Sequence, residues 1–295
     1  MPDRRRRSRT RAAATIALLI GLTGGAGLAA QRSAAPRPRP PAPPTVRLYI
    51  FDCGVLGTAG GDPRNYHLTK DQVAETRMSV PCFLIVHPQV TLMWDLGVVP
   101  DSQIPAMARN AMSPPTLVNQ LAAIGYSPAD ITYVAISHAH RDHSANGNDF
   151  VASTWLARPA ERDFMFTPNN PRVDMSFYDK LKTSKTILIN TDEYDVFGDG
   201  KVVLKSAPGH TPGMQVLIVH LAKTGPVMLS GDLYHYPEER TLHTAPPDNE
   251  QGSVQQSQAS RAMIEEYLKK TKTQLWIEHD FVANAKLKKA PNYYE

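Results

Sequence analysis

The chain has 295 residues, 42% of them hydrophobic and 20% charged, with only two cysteines. That is enough for one large domain with a substantial core. The formal charge of +4 belongs to the N-terminus: residues 1–44 carry nine arginines and one aspartate, which leaves −4 on residues 45–295. A mildly acidic domain has no general attraction for nucleic acid, so nucleic-acid binding is excluded as the main business of the fold.

In chain order, Arg4, Arg5, Arg6, Arg7, Arg9 and Arg11 precede an apolar run over residues 12–28, and Gly27 and Ala29 offer a small-x-small cleavage site. Basic, then apolar, then small is the order of a secretory signal peptide, here residues 1–30. A retained membrane anchor is the alternative, because the run is near the lower length limit for a bilayer span. Gly21, Gly24 and Gly25 make it a poor permanent helix. The expected location is therefore periplasmic or extracellular, with no stable membrane insertion after cleavage. Residues 31–44, rich in Pro and Ala, read as an extended tether. The folded domain spans 45–295.

Residues 45–51, 81–86 and 90–94 are dense in Val, Ile, Leu and aromatics and read as strands. A helix is expected over 115–124, with Leu117, Val118, Leu121 and Ile124 at helical spacing and Gly125 ending it. Strands follow at 131–136, 186–189, 202–204, 214–221 and 227–229, then a helix at 257–270 and a last strand at 274–277. Strands dominate each half, which is not the alternation of a doubly wound sheet. Two packed sheets with helices outside fit, an α+β class. Cys53 and Cys82 lie at the edges of apolar runs that can pair, and either a disulfide or two buried thiols suits them.

The chemistry concentrates after the strand at 131–136, where the chain reads Ser-His-Ala-His-Arg-Asp-His-Ser from Ser137 to Ser144. Four potential ligands, His138, His140, Asp142 and His143, occupy six positions. Neutral imidazoles and carboxylates are what borderline divalent ions such as zinc prefer. A lone histidine is usually a core or surface residue, but a polar loop rarely gathers this set by accident. His210 sits in the turn Pro208-Gly209-His210-Thr211-Pro212-Gly213, Asp232 directly follows a strand, and His279 ends the last one. An aspartate at a strand end can bridge two ions with its two oxygens. Of the other histidines, His87 and His220 read as structural, while His67 and His235 can border the cavity.

This pattern resembles the metallo-β-lactamase superfamily, whose signature is His-x-His-x-Asp-His. Asp95 in Trp94-Asp95-Leu96-Gly97 matches its early Asp-x-Gly element, and His210, Asp232 and His279 come in the expected order. The resemblance implies a four-layer αβ/βα sandwich with two divalent metal ions, zinc first among them, at the common edge of two sheets. It implies that His138, His140 and His210 hold one ion, Asp142, His143 and His279 the other, and that Asp232 bridges. Asp95 would organise the site by hydrogen bonds.

Within the superfamily the chain looks most like the N-acyl-homoserine lactonases, through Leu48–Gly54, the run Val80-Pro81-Cys82-Phe83-Leu84, the His210-to-Asp232 step and the closing Ile277-Glu278-His279-Asp280. Class B β-lactamases lack the bridging aspartate. Glyoxalase II enzymes usually carry Gly-Gly where this chain has Ser144-Ala145. The implied activity is opening of a lactone ring by a hydroxide bridging the two ions, with Asp142 passing the proton to the leaving alkoxide. The alternatives are another hydrolase of this fold, acting on an ester, a different lactone or a β-lactam, or a metal-binding protein without turnover. One departure stands out. The lactonases place a tyrosine three residues after the bridging aspartate, and here that position is His235. Tyr234 takes the oxyanion contact if the loop is one residue shorter. Residues 55–79, with Leu56, Tyr66, Val73 and Met78, are expected to wall an acyl-chain groove.

Overall fold

A computed structural model describes residues 38–57, 61–98, 101, 116–168, 170 and 173–295. The signal-peptide reading, residues 31–37 of the tether and residue 115 of the first expected helix lie outside the described residues.

The strands and helices are β1 (Arg47–Leu56), β2 (Met78–Val86), β3 (Thr91–Trp94), α1 (Leu117–Ala123), β4 (Tyr133–Ala135), α2 (Arg141–Ser144), β5 (Thr154–Ala157), α3 (Pro159–Met165), β6 (Thr186–Leu188), β7 (Glu193–Asp195), β8 (Val202–Ser206), β9 (Gln215–Leu221), β10 (Gly225–Leu229), α4 (Pro237–Thr241), α5 (Val254–Thr271), β11 (Gln274–Trp276), α6 (Phe281–Asn284) and β12 (Tyr293–Tyr294). They form a seven-stranded sheet, order β12-β1-β2-β3-β4-β5-β6, and a five-stranded sheet, order β11-β10-β9-β8-β7. The first sheet is antiparallel from β12 to β3 and parallel from β3 to β6. In the second, only β10 and β11 run parallel.

The period-2 alternation of the strands sets the layers. Leu48, Ile50, Phe83, Ile85, Leu92 and Trp94 face the other sheet and pack on Leu217, Val219, Val227 and Leu229. The intervening Tyr49, Phe51, Leu84 and Met93 face outward and pack beneath Leu117 and Leu121 of α1 and Met165 of α3. On the far side, Val216, Ile218 and Met228 pack against Ile264 and Leu268 of α5. Helix, sheet, sheet, helix is the expected four-layer sandwich. Because both of its faces are covered, β2 is buried throughout.

Two parallel pairs, β3 with β4 and β10 with β11, end at one edge of the sandwich. Loops that follow these strands therefore meet. Gln215 donates its backbone N–H across the sheets to Ser137 O (3.0 Å), and Ser230 donates to Trp276 O (3.1 Å). A Cβ at Gly231 would lie 2.7 Å from Ser137 Cβ, so contact between these loops requires glycine there.

Cys53 and Cys82 are joined, bridging β1 and β2 next to the Phe51–Cys82 register pair. Gly97, on the loop after β3, packs against this bond. Closing a loop of 29 residues constrains the unfolded chain by about 3–4 kcal/mol. Reduction is thus expected to lower the thermal midpoint by about 10 °C. Scanning calorimetry with and without reductant checks this, and a shift under about 2 °C would contradict it.

Candidate metal centre

Asp95 directly follows β3 with φ +53° and is fully buried. Its Oδ1 accepts from Ser137 N–H (2.6 Å), and its Oδ2 lies 3.1 Å from His143 Nδ1. Leu96 donates to His143 O (2.8 Å), so the loop after β3 clamps the loop after β4. Gly209 and Gly213 let the 208–213 turn close on its neighbours, and that turn delivers His210.

Two groups of side chains converge there. In the first, His138 Nε2 and His210 Nε2 lie 2.9 and 3.0 Å from His140 Nδ1, and 3.5 and 3.3 Å from Asp232 Oδ2. In the second, His143 Nε2 and His279 Nε2 each lie 3.1 Å from Asp232 Oδ1, and 3.4 and 3.3 Å from Asp142 Oδ2. The structure thus brings all seven expected ligands together and divides them as the resemblance implied. One oxygen of Asp232 faces each group.

The donor set fits divalent ions. Bonds of about 2.0–2.2 Å to a four-coordinate ion set ligand atoms about 3.3–3.6 Å apart, close to the separations seen within each group. His143 Nε2 and Asp232 Oδ1 are buried with no hydrogen-bond partner among the described residues, and both belong to the second group. The outward ring nitrogens are held in turn: His210 Nδ1 lies 2.9 Å from Glu250 Oε2, His279 Nδ1 2.8 Å from Ser79 O, His138 Nδ1 3.0 Å from Ser137 Oγ, and His140 Nε2 2.7 Å from the Gln251 amide. Such partners orient imidazoles toward a metal.

The charges are strongly coupled. Burial holds His138 well below its usual range and His140 down to about 4, and positively charged neighbouring histidines add to this. Burial also opposes charge on His210, but Asp232 and Glu250 outweigh it and push it up to about 9. Burial likewise works against charge on His143 and His279, and Asp232 and Asp142 outweigh it in both. At neutral pH the metal-free cluster therefore holds protons that an arriving ion displaces. Zinc affinity is expected to rise with pH up to about 9, with protons released on binding. Titration calorimetry in buffers of different ionisation enthalpy checks this, and affinity independent of pH would contradict it.

Tyr234 is not at the centre. Its hydroxyl donates to Glu265 Oε1 (3.2 Å), and its ring lies under the Arg261 guanidinium. The backbone at Tyr234 is extended (φ −140°, ψ 141°), so residues 234 and 235 point to opposite sides. The expectation of a catalytic Tyr234 is therefore corrected, and His235 takes the inward position. His235 Nε2 lies 3.2 Å from Asp232 Oδ2, and its ring centroid is 5.0 Å from that of His210. His67 instead contacts Pro246 O (3.2 Å), away from both groups. Within the segment expected to wall a groove, Leu56, Tyr66 and Val73 pack with Leu68, Met78 and Tyr236 into a small apolar cluster, and Ala74 and Glu75 line a cavity. This cavity, of about 350 Å³, opens beside His279 between Ala74, Tyr236, Pro237 and Phe281.

Sequence reasoning passed over Glu161, Glu250, Gln251 and Glu278. Glu161 is buried on the first turn of α3. Its Oε1 accepts from Ala139 N–H (2.7 Å), and its Oε2 accepts from Thr211 Oγ1 (2.7 Å) and Gly213 N–H (2.8 Å). A glutamate in a helix's first turn is ordinary, and nothing in the sequence separates this one from the rest.

Residues 76–270 match the family model of the metallo-beta-lactamase superfamily. The N-acyl homoserine lactonase AttM of Rhizobium radiobacter is 29% identical over 272 residues, covering 84% of this chain and 98% of that protein. An N-acyl homoserine lactonase of Bacillus sp is 28% identical over 181 residues, 60% of this chain and 67% of its own. Among solved structures, an N-acyl homoserine lactone hydrolase with N-hexanoyl-L-homoserine at its catalytic metal center superposes with a TM-score of 0.68 at 22% identity, covering 84% of this chain and 99% of that one. The dizinc quorum-quenching lactonase AidC gives 0.59 at 18% identity, over 85% and 94%.

Proposed function

This chain belongs to the metallo-beta-lactamase superfamily, and we propose that it is a two-zinc lactonase that opens the ring of N-acyl-homoserine lactones, a quorum-quenching activity. The observation that carries the two-metal reading is Asp232, whose two oxygens serve two adjacent His/Asp groups. The lactone is favoured over other esters by relatives named as lactonases that align along almost their whole length. Nitrogen and oxygen donors without thiolate suit zinc. The cavity beside His279 is a fitting seat for the acyl chain, with apolar walls at Pro237 and Phe281.

His138, His140 and His210 would hold one divalent ion and Asp142, His143 and His279 a second, with Asp232 offering an oxygen to each, and ions held there would supply Lewis acidity and acidify water. In the reaction, a water oxygen bonds to the lactone carbonyl carbon and the ring C–O bond breaks. The ring oxygen leaves as an alcohol carrying one of the water's protons, and the other is released from the new carboxylic acid. Asp142 is suited to carry that first proton. Its Oδ2 faces the cluster, whereas its Oδ1 has no partner among the described residues and its side chain is 14% exposed.

Export is part of the proposal. The basic, apolar and small order of residues 1–30 and a disulfide in the domain both suit an oxidising compartment. Among the described residues no helix is long and apolar enough to cross a membrane.

The test is proton release by the zinc-loaded protein on a panel of homoserine lactones, simple esters and β-lactams, with His140→Ala as control. Turnover of lactones that the control loses supports the reading. Turnover of esters or β-lactams alone moves the substrate elsewhere in the family. No turnover with two zinc ions retained leaves a metal-binding protein.

A further inference from the structure

A carbonyl under attack gathers negative charge on its oxygen, and a hydrogen-bond donor fixed in advance at that point is worth much in a dry site. Three phenols lie near the turn that carries Asp232. Tyr234 is turned away, as described above. The Tyr236 hydroxyl is committed, donating to Gly61 O (2.6 Å) with Thr76 O nearby (3.1 Å). Tyr66 remains.

Tyr66 closes the short turn Pro63–Tyr66, which is capped by the Asp62 side chain accepting from Arg64 N–H. Leu68, next along, is buried with Met78 and Tyr236. This anchors the segment against the turn that bears Asp232. The Tyr66 ring lies on the imidazole of His235, with centroids 4.3 Å apart and planes at 39°, and meets Tyr236 edge-on at 5.4 Å. His235 Nε2 is itself 3.2 Å from Asp232 Oδ2, so the phenol stands one side chain away from the metal-facing cluster. Among the described residues its hydroxyl has no hydrogen-bond partner, whereas those of Tyr178, Tyr234 and Tyr236 each donate to one. The side chain is half-buried, which leaves the hydroxyl free to meet an incoming group. Burial, and after it the Asp232 carboxylate, push the Tyr66 hydroxyl far above the usual phenol range, so it remains a donor at any working pH.

We infer that Tyr66, seated on His235, donates the hydrogen bond that stabilises the reacting carbonyl oxygen. The inference rests on the lactonase reading. It places the catalytic phenol on the segment after β1 rather than on the turn that follows β10, with His235 as its platform.

The test compares zinc-loaded wild type, Tyr66→Phe and Tyr234→Phe on N-hexanoyl-homoserine lactone, with kcat, KM and zinc content measured together. Tyr66→Phe is expected to keep two zinc ions and a KM within about threefold while kcat falls about 100-fold, the scale of one lost oxyanion donor. Tyr234→Phe should stay within about twofold of wild type. A Tyr66→Phe kcat within about threefold of wild type, or an equal loss in Tyr234→Phe, overturns the inference. A second readout is independent of turnover: calorimetric affinity for the ring-opened N-hexanoyl-homoserine, expected to weaken about tenfold in Tyr66→Phe, the scale of a single hydrogen bond. If wild type opens no lactone, the functional reading has failed. Weaker product binding by Tyr66→Phe would still support the donor position, and unchanged binding would remove it.

Discussion

Asp232→Ala is expected to lose two-metal loading and at least about a thousandfold in turnover, the upper scale for removing one electrostatic element from a dry site. The size follows from how many partners share this carboxylate. Its Oδ2 lies within 3.5 Å of His138, His210 and His235, and its Oδ1 lies 3.1 Å from both His143 and His279. Burial opposes its charge, yet the surrounding histidines, His279 first, hold the carboxyl well below its usual range, so it stays an anion. Alanine removes the only aspartate common to both groups and leaves buried imidazoles facing one another. Asp142→Ala, by contrast, strips one ligand from the second group alone. Zinc content by elemental analysis, read beside kcat, separates the two. An Asp232→Ala protein that still holds two ions would contradict the bridging role.

The second large effect is expected at a residue that touches no metal. Glu161→Ala should cost about 2–5 kcal/mol of stability, the scale for leaving two buried backbone donors without an acceptor, and about 10–100-fold in zinc affinity. Glu161 is fully desolvated. Burial raises its carboxyl, and hydrogen bonds from Thr211, Gly213 and Ala139 work against that rise. Ala139 lies between His138 and His140, and Thr211 follows His210, so one carboxylate fixes the register of both loops that supply the first group. Removing it leaves the buried Ala139 and Gly213 N–H groups without acceptors. A Cβ at Gly213 would sit 2.3 Å from Glu161 N, so the turn cannot tighten onto another partner without glycine there. Urea unfolding of the metal-free protein gives the first number and competitive zinc titration the second. A stability loss under about 1 kcal/mol would mean that the loops hold themselves.

The layers and the ligands were legible in the sequence for different reasons. Long apolar runs such as 81–86 and 214–221 announce strands whatever surrounds them, and His138 to His143 lie close enough in sequence to read as a unit. β5 (Thr154–Ala157) and β7 (Glu193–Asp195) were not read as strands. Unlike the equally short β4 and β6, they stand in no Val- or Ile-rich run, and they exist because neighbours supply their hydrogen bonds. The expected helix at 257–270 starts earlier, at Val254, because the Ser253 side chain caps it by accepting from Gln256 N–H. Tyr234 was misplaced for a related reason. Composition names a phenol near Asp232, but only the extended backbone at residue 234 shows which of two adjacent side chains turns inward. Glu161 and Glu250 were missed because what they hold lies 22 to 52 residues away in one case and 40 in the other, a distance at which no local pattern carries a signal.

Ring opening of a homoserine lactone is the central claim, and the mass of the product tests it most directly. In ¹⁸O-labelled water, the zinc-loaded protein acting on N-hexanoyl-homoserine lactone should yield a single product, N-hexanoyl-homoserine, with one ¹⁸O in its carboxylate. Release of hexanoate with the lactone ring intact, or recovery of the unlabelled lactone alone, would contradict it.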